Sequence, residues 1–243
     1  MPGRAHAPGG AVSSRVVLLD VEGTTTPLAF VARTLFPFAR AHLAGFIGSA
    51  TGEGLEALAA LDAERRAAGA PAAATAGERA DALLRFALDL MDQDRKSPAL
   101  KWVQGLIWKN GYRDGALRGE VFADVAPALR RIKAEGRRAC IYSSGSVLAQ
   151  QLLFSTTPDG DLTPWLEHHF DTAVGPKGAA DSYRGIARTL GIAPGEGCFA
   201  SDVVAELDAA RTAGWRTCLM LRPGNAPVAP GHGHPTASDL GAL

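Results

Sequence analysis

Residues 15–27 read RVVLLDVEGTTTP, and the fold follows from how that stretch changes character at Asp20. A short apolar run, Val16 to Leu19, ends in an Asp-Val-Glu-Gly turn, as a buried strand does when it delivers polar residues at its carboxyl end. Similar apolar runs recur at residues 138–142 (RACIY), 170–174 (FDTAV), 198–201 (CFAS) and 216–221 (RTCLML). Helix-like segments separate the later ones, at residues 122–135, 146–154, 179–190 and 203–213. Several close on a glycine, Gly136, Gly191 or Gly214, which suits a helix C-terminus. Strands alternating with helices give an α/β domain built on a parallel sheet.

More than 100 residues separate the first two strands, and almost all of them read as helix, at residues 29–46, 54–68, 78–91 and 99–109. A parallel crossover needs only about a dozen residues, so the excess predicts an inserted helical cap over residues 28–114. The α/β core is then residues 15–27 and 115–225. Ligands of open α/β sheets bind beyond the carboxyl ends of the strands, and the insertion begins just after one of those ends. The Pro/Gly/Ala-rich stretches at residues 1–14 and 226–243 lack periodicity and are expected to be flexible tails.

The chain has 243 residues, 47% hydrophobic and 21% charged, in the range of ordinary globular proteins. Lys+Arg 25 balances Asp+Glu 25, so there is no broad positive field for nucleic acid. No run approaches the length of a membrane span or signal-peptide core, which predicts a cytoplasmic protein, and a monomer is the default expectation. Cys140, Cys198 and Cys218 are odd in number, have no metal-like spacing and lie in or beside strand-like runs. They are expected to be buried, reduced thiols.

Four strand ends carry chemistry: Asp20 and Glu22 after the first, Ser143 and Ser144 after the second, Lys177 after the third, and Asp202 and Glu206 after the fourth. Taken singly, an Asp before a Gly is usually a turn residue and Ser-Ser-Gly before a helix is usually a cap. Together they make a site. Clustered carboxylates suit a hard cation, and Mg²⁺ takes one or two carboxylates, waters and substrate phosphate. A carboxylate approaching a phosphate faces repulsion of about 4 kcal/mol per unit-charge pair at 4 Å and an effective dielectric near 20. A cation and Lys177 remove that barrier, while Ser143 and the N–H groups at the next helix start can hold phosphoryl oxygens. The set has the logic of phosphoryl transfer to an Asp, through an aspartyl-phosphate that water hydrolyses.

The order of these motifs resembles the haloacid dehalogenase superfamily of phosphohydrolases. Longer strings, DVEGTTTPLAFV, WKNGYRDGALRGEVFADV, IYSSGSVLAQQLLF, GDLTPWLEHHFDT and SDVVAELDAA, are similar to its enolase-phosphatase (acireductone synthase) family of methionine salvage, over about residues 15–225. The resemblance implies a Rossmann-like core with a helical cap and one Mg²⁺ per chain. It also implies enolisation and dephosphorylation of 2,3-diketo-5-methylthiopentyl 1-phosphate. By the same resemblance Asp20 is nucleophile and metal ligand, Glu22 binds at the metal and serves as acid/base, and Asp202 completes the metal site. Ser143 and Ser144 contact substrate and Lys177 contacts the phosphate.

Two positions depart from the superfamily pattern: Ser201 stands where many members have Gly, and Glu206 where many have a second Asp. Four residues after Asp202, Glu206 can still turn toward the site and support the metal and Lys177. The aromatic residues of the cap, Phe30, Phe36, Phe38, Trp102, Trp108 and Tyr112, are candidates for the thioether tail, but such residues at helical spacing more often pack helix on helix. His168 and His169 are adjacent, so their side chains diverge and do not make a metal pair. The rival readings are a phosphoglycolate-like phosphatase of the same superfamily and a non-catalytic phospho-aspartate regulatory module.

Overall fold

The computed structural model describes residues 14–243. Of the tail expected at residues 1–14, all but Ser14 lies outside the described residues. Strand β1 (Val16–Leu19) is wholly buried and pairs in parallel with β2 (Arg138–Tyr142) on one side and β4 (Gly197–Ser201) on the other. With β3 (His168–Phe170), β5 (Arg216–Met220) and β6 (Thr236–Ala237) they form a parallel six-stranded sheet in the order β3-β2-β1-β4-β5-β6.

Alternate residues of β1 serve opposite layers, as the two-residue period of a strand requires. Val17 and Leu19 join the apolar core shared with the cap and with α6 (Val125–Ala134) and α7 (Val147–Ser155). Val16 and Leu18 join Tyr183, Ile186, Leu207 and Ala210 of α8 (Ala180–Leu190) and α9 (Val204–Thr212). Each such side chain is worth about 1.5–3 kcal/mol relative to exposure, which fixes β1 at the centre and its carboxyl end at the middle of the sheet edge.

The inserted cap is all helical. It runs from α1 (Leu28–Phe30) through a π-helical turn (Val31–Leu35) into α2 (Phe36–Ser49), then α3 (Glu53–Ala67), α4 (Ala76–Asp92) and α5 (Pro98–Arg113). Its helix starts are written in the sequence: Thr75 and Glu78 form a reciprocal capping box on α4, and Ser97 caps α5 ahead of Pro98. The face of α5 that carries Gly105 comes near the Ser146 hydroxyl at the start of α7, so the cap meets the core beside the second strand end.

Two expectations need correction. The third strand is His168–Phe170 rather than residues 170–174, because Asp171 accepts the Ala173 N–H at 2.9 Å and turns Thr172–Val174 into a 3-10 helix. The stretch expected as a flexible tail at residues 226–243 contains β6, and Leu240 in it is fully buried. Arg131 donates to the carbonyl oxygens of Leu240 and Leu243, and Arg137 also reaches that of Leu243. All three cysteines are buried free thiols; burial pushes Cys140 and Cys198 up to about 12 and Cys218 to about 11, which keeps them inert. Among the described residues no helix is long and apolar enough to cross a membrane.

Candidate active site

Asp20 follows directly on β1 and is almost completely buried. Its backbone N–H donates to the Ala200 carbonyl, continuing the sheet ladder, and its Oδ1 accepts the Val21 N–H at 2.7 Å. The next six residues fold tightly. The N–H groups of Thr24, Thr25 and Thr26 all point at the Val21 carbonyl, Gly23 N–H meets the Thr26 carbonyl, and the Thr25 hydroxyl donates back to the Asp20 carbonyl at 3.0 Å. This turn needs Gly23. Its φ is +70°, and a Cβ there would stand 2.3 Å from Asp202 Oδ2. The loop from strand one and the start of the segment after β4 are therefore in contact at a point where only glycine fits.

Lys177 enters from the loop after β3. Its Nζ lies 2.6 Å from Asp20 Oδ1 and 2.6 Å from Glu206 Oε2, with Tyr142 and Phe199 rings packed against it at 6.0 and 5.9 Å. Ser201, the last residue of β4, completes the ring. Its hydroxyl is 3.2 Å from Asp20 Oδ2 and 3.0 Å from Glu206 Oε2 and accepts the Val203 N–H. The single Ser201 proton serves one of those carboxylates at a time, so the two acids are coupled through it as well as through Lys177.

Charge is crowded here. Burial and then the neighbouring Asp20 hold Glu22 above the ordinary Glu range, and the same two causes push Asp202 up to about 6. Glu206 is also raised by burial and Asp20, against the pull of Lys177 and Ser201. For Lys177 burial acts to lower the ammonium, but Asp20 and Glu206 outweigh it and leave it above its ordinary value. At the second strand end, Ser143 is buried with its hydroxyl accepting the Gly145 N–H at 3.1 Å, whereas Ser144 is exposed and Ser146 caps α7. A cleft of about 310 Å³ lies elsewhere, between α2 and α5, and none of these residues lines it.

The described sequence from residue 14 to 214 matches the family model of haloacid dehalogenase-like hydrolases. The enolase-phosphatase E1 of Synechococcus elongatus is 50% identical over 221 residues, covering 89% of this chain and 92% of the relative. That of Sorangium cellulosum is 50% identical over 217 residues, covering 89% and 91%. The crystal structure of the UTR4 protein of Saccharomyces cerevisiae superposes with a TM-score of 0.80 at 32% identity, covering 95% of this chain and 100% of that one. The chain belongs to the enolase-phosphatase family of haloacid dehalogenase-like hydrolases.

In this chain, five of the seven residues singled out from sequence are gathered in two ways. Asp20, Lys177 and Glu206 are in direct contact, while Glu22 and Asp202 neighbour them through charge. Ser143 stands at the adjacent strand end, and Ser144 points to solvent. Sequence reasoning undervalued Ser201, which it took only as a departure from Gly, and missed Arg222 and Asn225, whose side chains hold the Asp20 loop. The one local hint was their place just beyond the end of β5.

The family's Mg²⁺ can be tested against the donor set. Among the described residues no three carboxylate, imidazole or thiol groups form a ready-made protein cage. Mg²⁺ keeps several of its waters when bound, so the acids need not already form a closed cage. The charge balance also fits: four carboxylates, Asp20, Glu22, Asp202 and Glu206, crowd around the single ammonium of Lys177, and three of them are held above their usual range. A hard divalent cation relieves that excess.

Proposed function

We propose that this chain is a Mg²⁺-dependent enolase-phosphatase that converts 2,3-diketo-5-methylthiopentyl 1-phosphate to acireductone (1,2-dihydroxy-3-keto-5-methylthiopentene) and phosphate, acting as a cytoplasmic monomer with one metal per chain. The observation that carries the mechanism is the fixed carboxylate of Asp20, held at Oδ1 by Val21 N–H and Lys177 and at Oδ2 by Ser201. A nucleophile held by two donors at one oxygen, and by a third that it shares with Glu206 at the other, loses little orientational freedom on reaction. Asp20 attacks phosphorus, the bond from phosphorus to the C1 oxygen breaks, and that oxygen takes a proton. Water then cleaves the aspartyl-phosphate and regenerates Asp20.

Asp20, Glu22 and Asp202 would hold the metal, which supplies positive charge against the phosphate oxygens when bound. Lys177 contacts the phosphate and tethers Asp20 to Glu206. Ser143 and Ser144, directly after β2, donate to phosphoryl oxygens. Glu22 is the acid/base group: burial and the neighbouring Asp20 raise its pKa, the direction that favours a carboxyl able to give and take a proton, as leaving-group protonation and enolisation require. The test is phosphate release with and without Mg²⁺ from the diketo phosphate, from phosphoglycolate and from an aryl phosphate, with enol absorbance followed in parallel. Preferred turnover of the diketo compound, with enol appearing before phosphate, supports the reading. Turnover of the other esters alone discards the salvage role, and no turnover of any ester discards the enzyme.

A further inference from the structure

The loop that carries Asp20 and Glu22 is held at two successive carbonyls by one short turn after β5. Arg222, buried, donates from Nε to the Thr24 carbonyl at 2.9 Å, and Asn225 donates from Nδ2 to the Gly23 carbonyl at 2.9 Å. Asn225 N–H closes the turn onto the Arg222 carbonyl at 3.1 Å. The rest of the guanidinium is also engaged. Its two terminal nitrogens fork onto the Asp124 carboxylate at 2.8 Å each, and one of them reaches the Ser238 carbonyl at 2.9 Å. The guanidinium carbon lies 4.4 Å from the centre of the Phe122 ring, and the Phe122 N–H donates to the Thr25 carbonyl at 2.9 Å. Asp124 in turn accepts the Leu240 N–H at 2.7 Å.

One guanidinium thus joins the Asp20 loop, the start of α6 and the C-terminal segment. The connection matters at Gly23. A Cβ on Gly23 would stand 2.3 Å from Asp202 Oδ2 and 3.0 Å from Asn225 Oδ1, so the loop rests between the residue that follows β4 and the turn that follows β5. Asn225 Oδ1 is buried without a protein partner. Any slip of the Gly23 and Thr24 carbonyls shifts Glu22, the residue before Gly23, relative to Asp202.

We propose that Arg222 and Asn225 are positioning residues for catalysis, fixing the 20–26 loop and through it the spacing of Asp20 and Glu22 from Asp202. This rests on the phosphatase reading above. A merely structural role would make the same contacts a staple for the C-terminal segment. Arg131 supplies the comparison, because it holds that segment through the carbonyls of Leu240 and Leu243 by bonds that do not include the loop.

The experiment measures kcat, KM, melting temperature and Mn²⁺ binding by electron paramagnetic resonance for the full-length parent and three variants. In Arg222→Lys the ammonium cannot span Thr24 and both Asp124 oxygens at once; Asn225→Ala removes the hold on Gly23. Both are expected to lower kcat by about 10- to 100-fold and to weaken Mn²⁺ binding by about tenfold, with KM changed less. Arg131→Met is expected to lower the melting temperature and to leave kcat and Mn²⁺ binding within about twofold of the parent. If Arg222→Lys and Asn225→Ala also keep parental kcat and Mn²⁺ affinity, the positioning role is overturned. Should Arg222→Lys not fold, Asn225→Ala alone decides by the same criterion. A parent that turns over no phosphate ester defeats the phosphatase reading, while Mn²⁺ binding in the variants still decides the positioning claim.

Discussion

In the cap, one buried carboxylate is ringed by guanidinium groups: Asp62 meets Arg65 at 2.9 Å, Arg79 at 3.2 Å and Arg66 at 3.6 Å. At the sheet edge the signs are reversed, and one buried ammonium, Lys177, sits among Asp20, Glu206, Glu22 and Asp202. The excess charge meets a different fate in each. Arg66 and Arg79 have side chains 56% and 47% exposed, so water screens the cationic surplus of the cap. The acids of the edge come from two segments, Asp20 and Glu22 from the loop after β1 and Asp202 and Glu206 from the stretch that leads from β4 into α9, and all four are buried or half-buried. Long exposed guanidinium side chains leave their surplus to water; acids packed at the sheet edge around one ammonium keep a negative excess that suits a cation.

The sharpest way to break this comparison is to remove the central charge of each cluster. Lys177→Met leaves buried carboxylates facing one another, and in the presence of a chelator it is expected to cost about 3–5 kcal/mol by urea unfolding. Phosphate release should fall by about 10²-fold or more. A loss below about 1 kcal/mol would mean that the edge is already relaxed without its lysine. Arg65→Met is the matching change in the cap. Asp62 keeps Arg66 and Arg79, so the expected cost is smaller, about 1–3 kcal/mol, and specific activity of the folded protein should not change. Lost activity at full stability would place the cap cluster in the chemistry.

A third prediction uses pH. A carboxyl whose folded pKa is raised penalises the folded state as pH climbs from its unfolded value toward its folded one, which for Asp202 is the window from 3.8 to about 6. Glu22 and Glu206 are raised in the same direction. Metal binding must displace those protons, so the rise in melting temperature produced by Mg²⁺ should be larger at about pH 7 than at about pH 5. His169 and His234, which burial lowers, also change stability in that range, but they are common to samples with and without metal and cancel in the difference. An increment independent of pH would remove the crowded acids from the metal site.

How much of this was legible depended on how local the signal was. Val16 to Leu19 followed by Asp20, Glu22 and Gly23 announced a central strand and the acids at its carboxyl end within eight residues. Glu206 was reachable from its four-residue spacing to Asp202, and its contact with Lys177 is direct. β3 was misplaced because its first two residues are His168 and His169, polar side chains on an edge that needs little apolar cover. The final strand escaped notice because two residues, Thr236 and Ala237, carry no periodicity amid Pro and Gly. Arg222 was beyond reach for another reason. Its partners Asp124 and Thr24 lie 98 and 198 positions away, so only the folded chain brings them together.

The central claim is that the Asp20 carboxylate takes the phosphoryl group. The measurement that meets it most directly is acid quenching of the enzyme during turnover of labelled diketo phosphate with Mg²⁺, followed by peptide mapping, with Asp20→Asn alongside. The account predicts a base-labile acyl-phosphate on the peptide containing Asp20 in the parent, and neither label nor phosphate release in Asp20→Asn. Label on another residue, or phosphate release by Asp20→Asn at the parental rate, would contradict it.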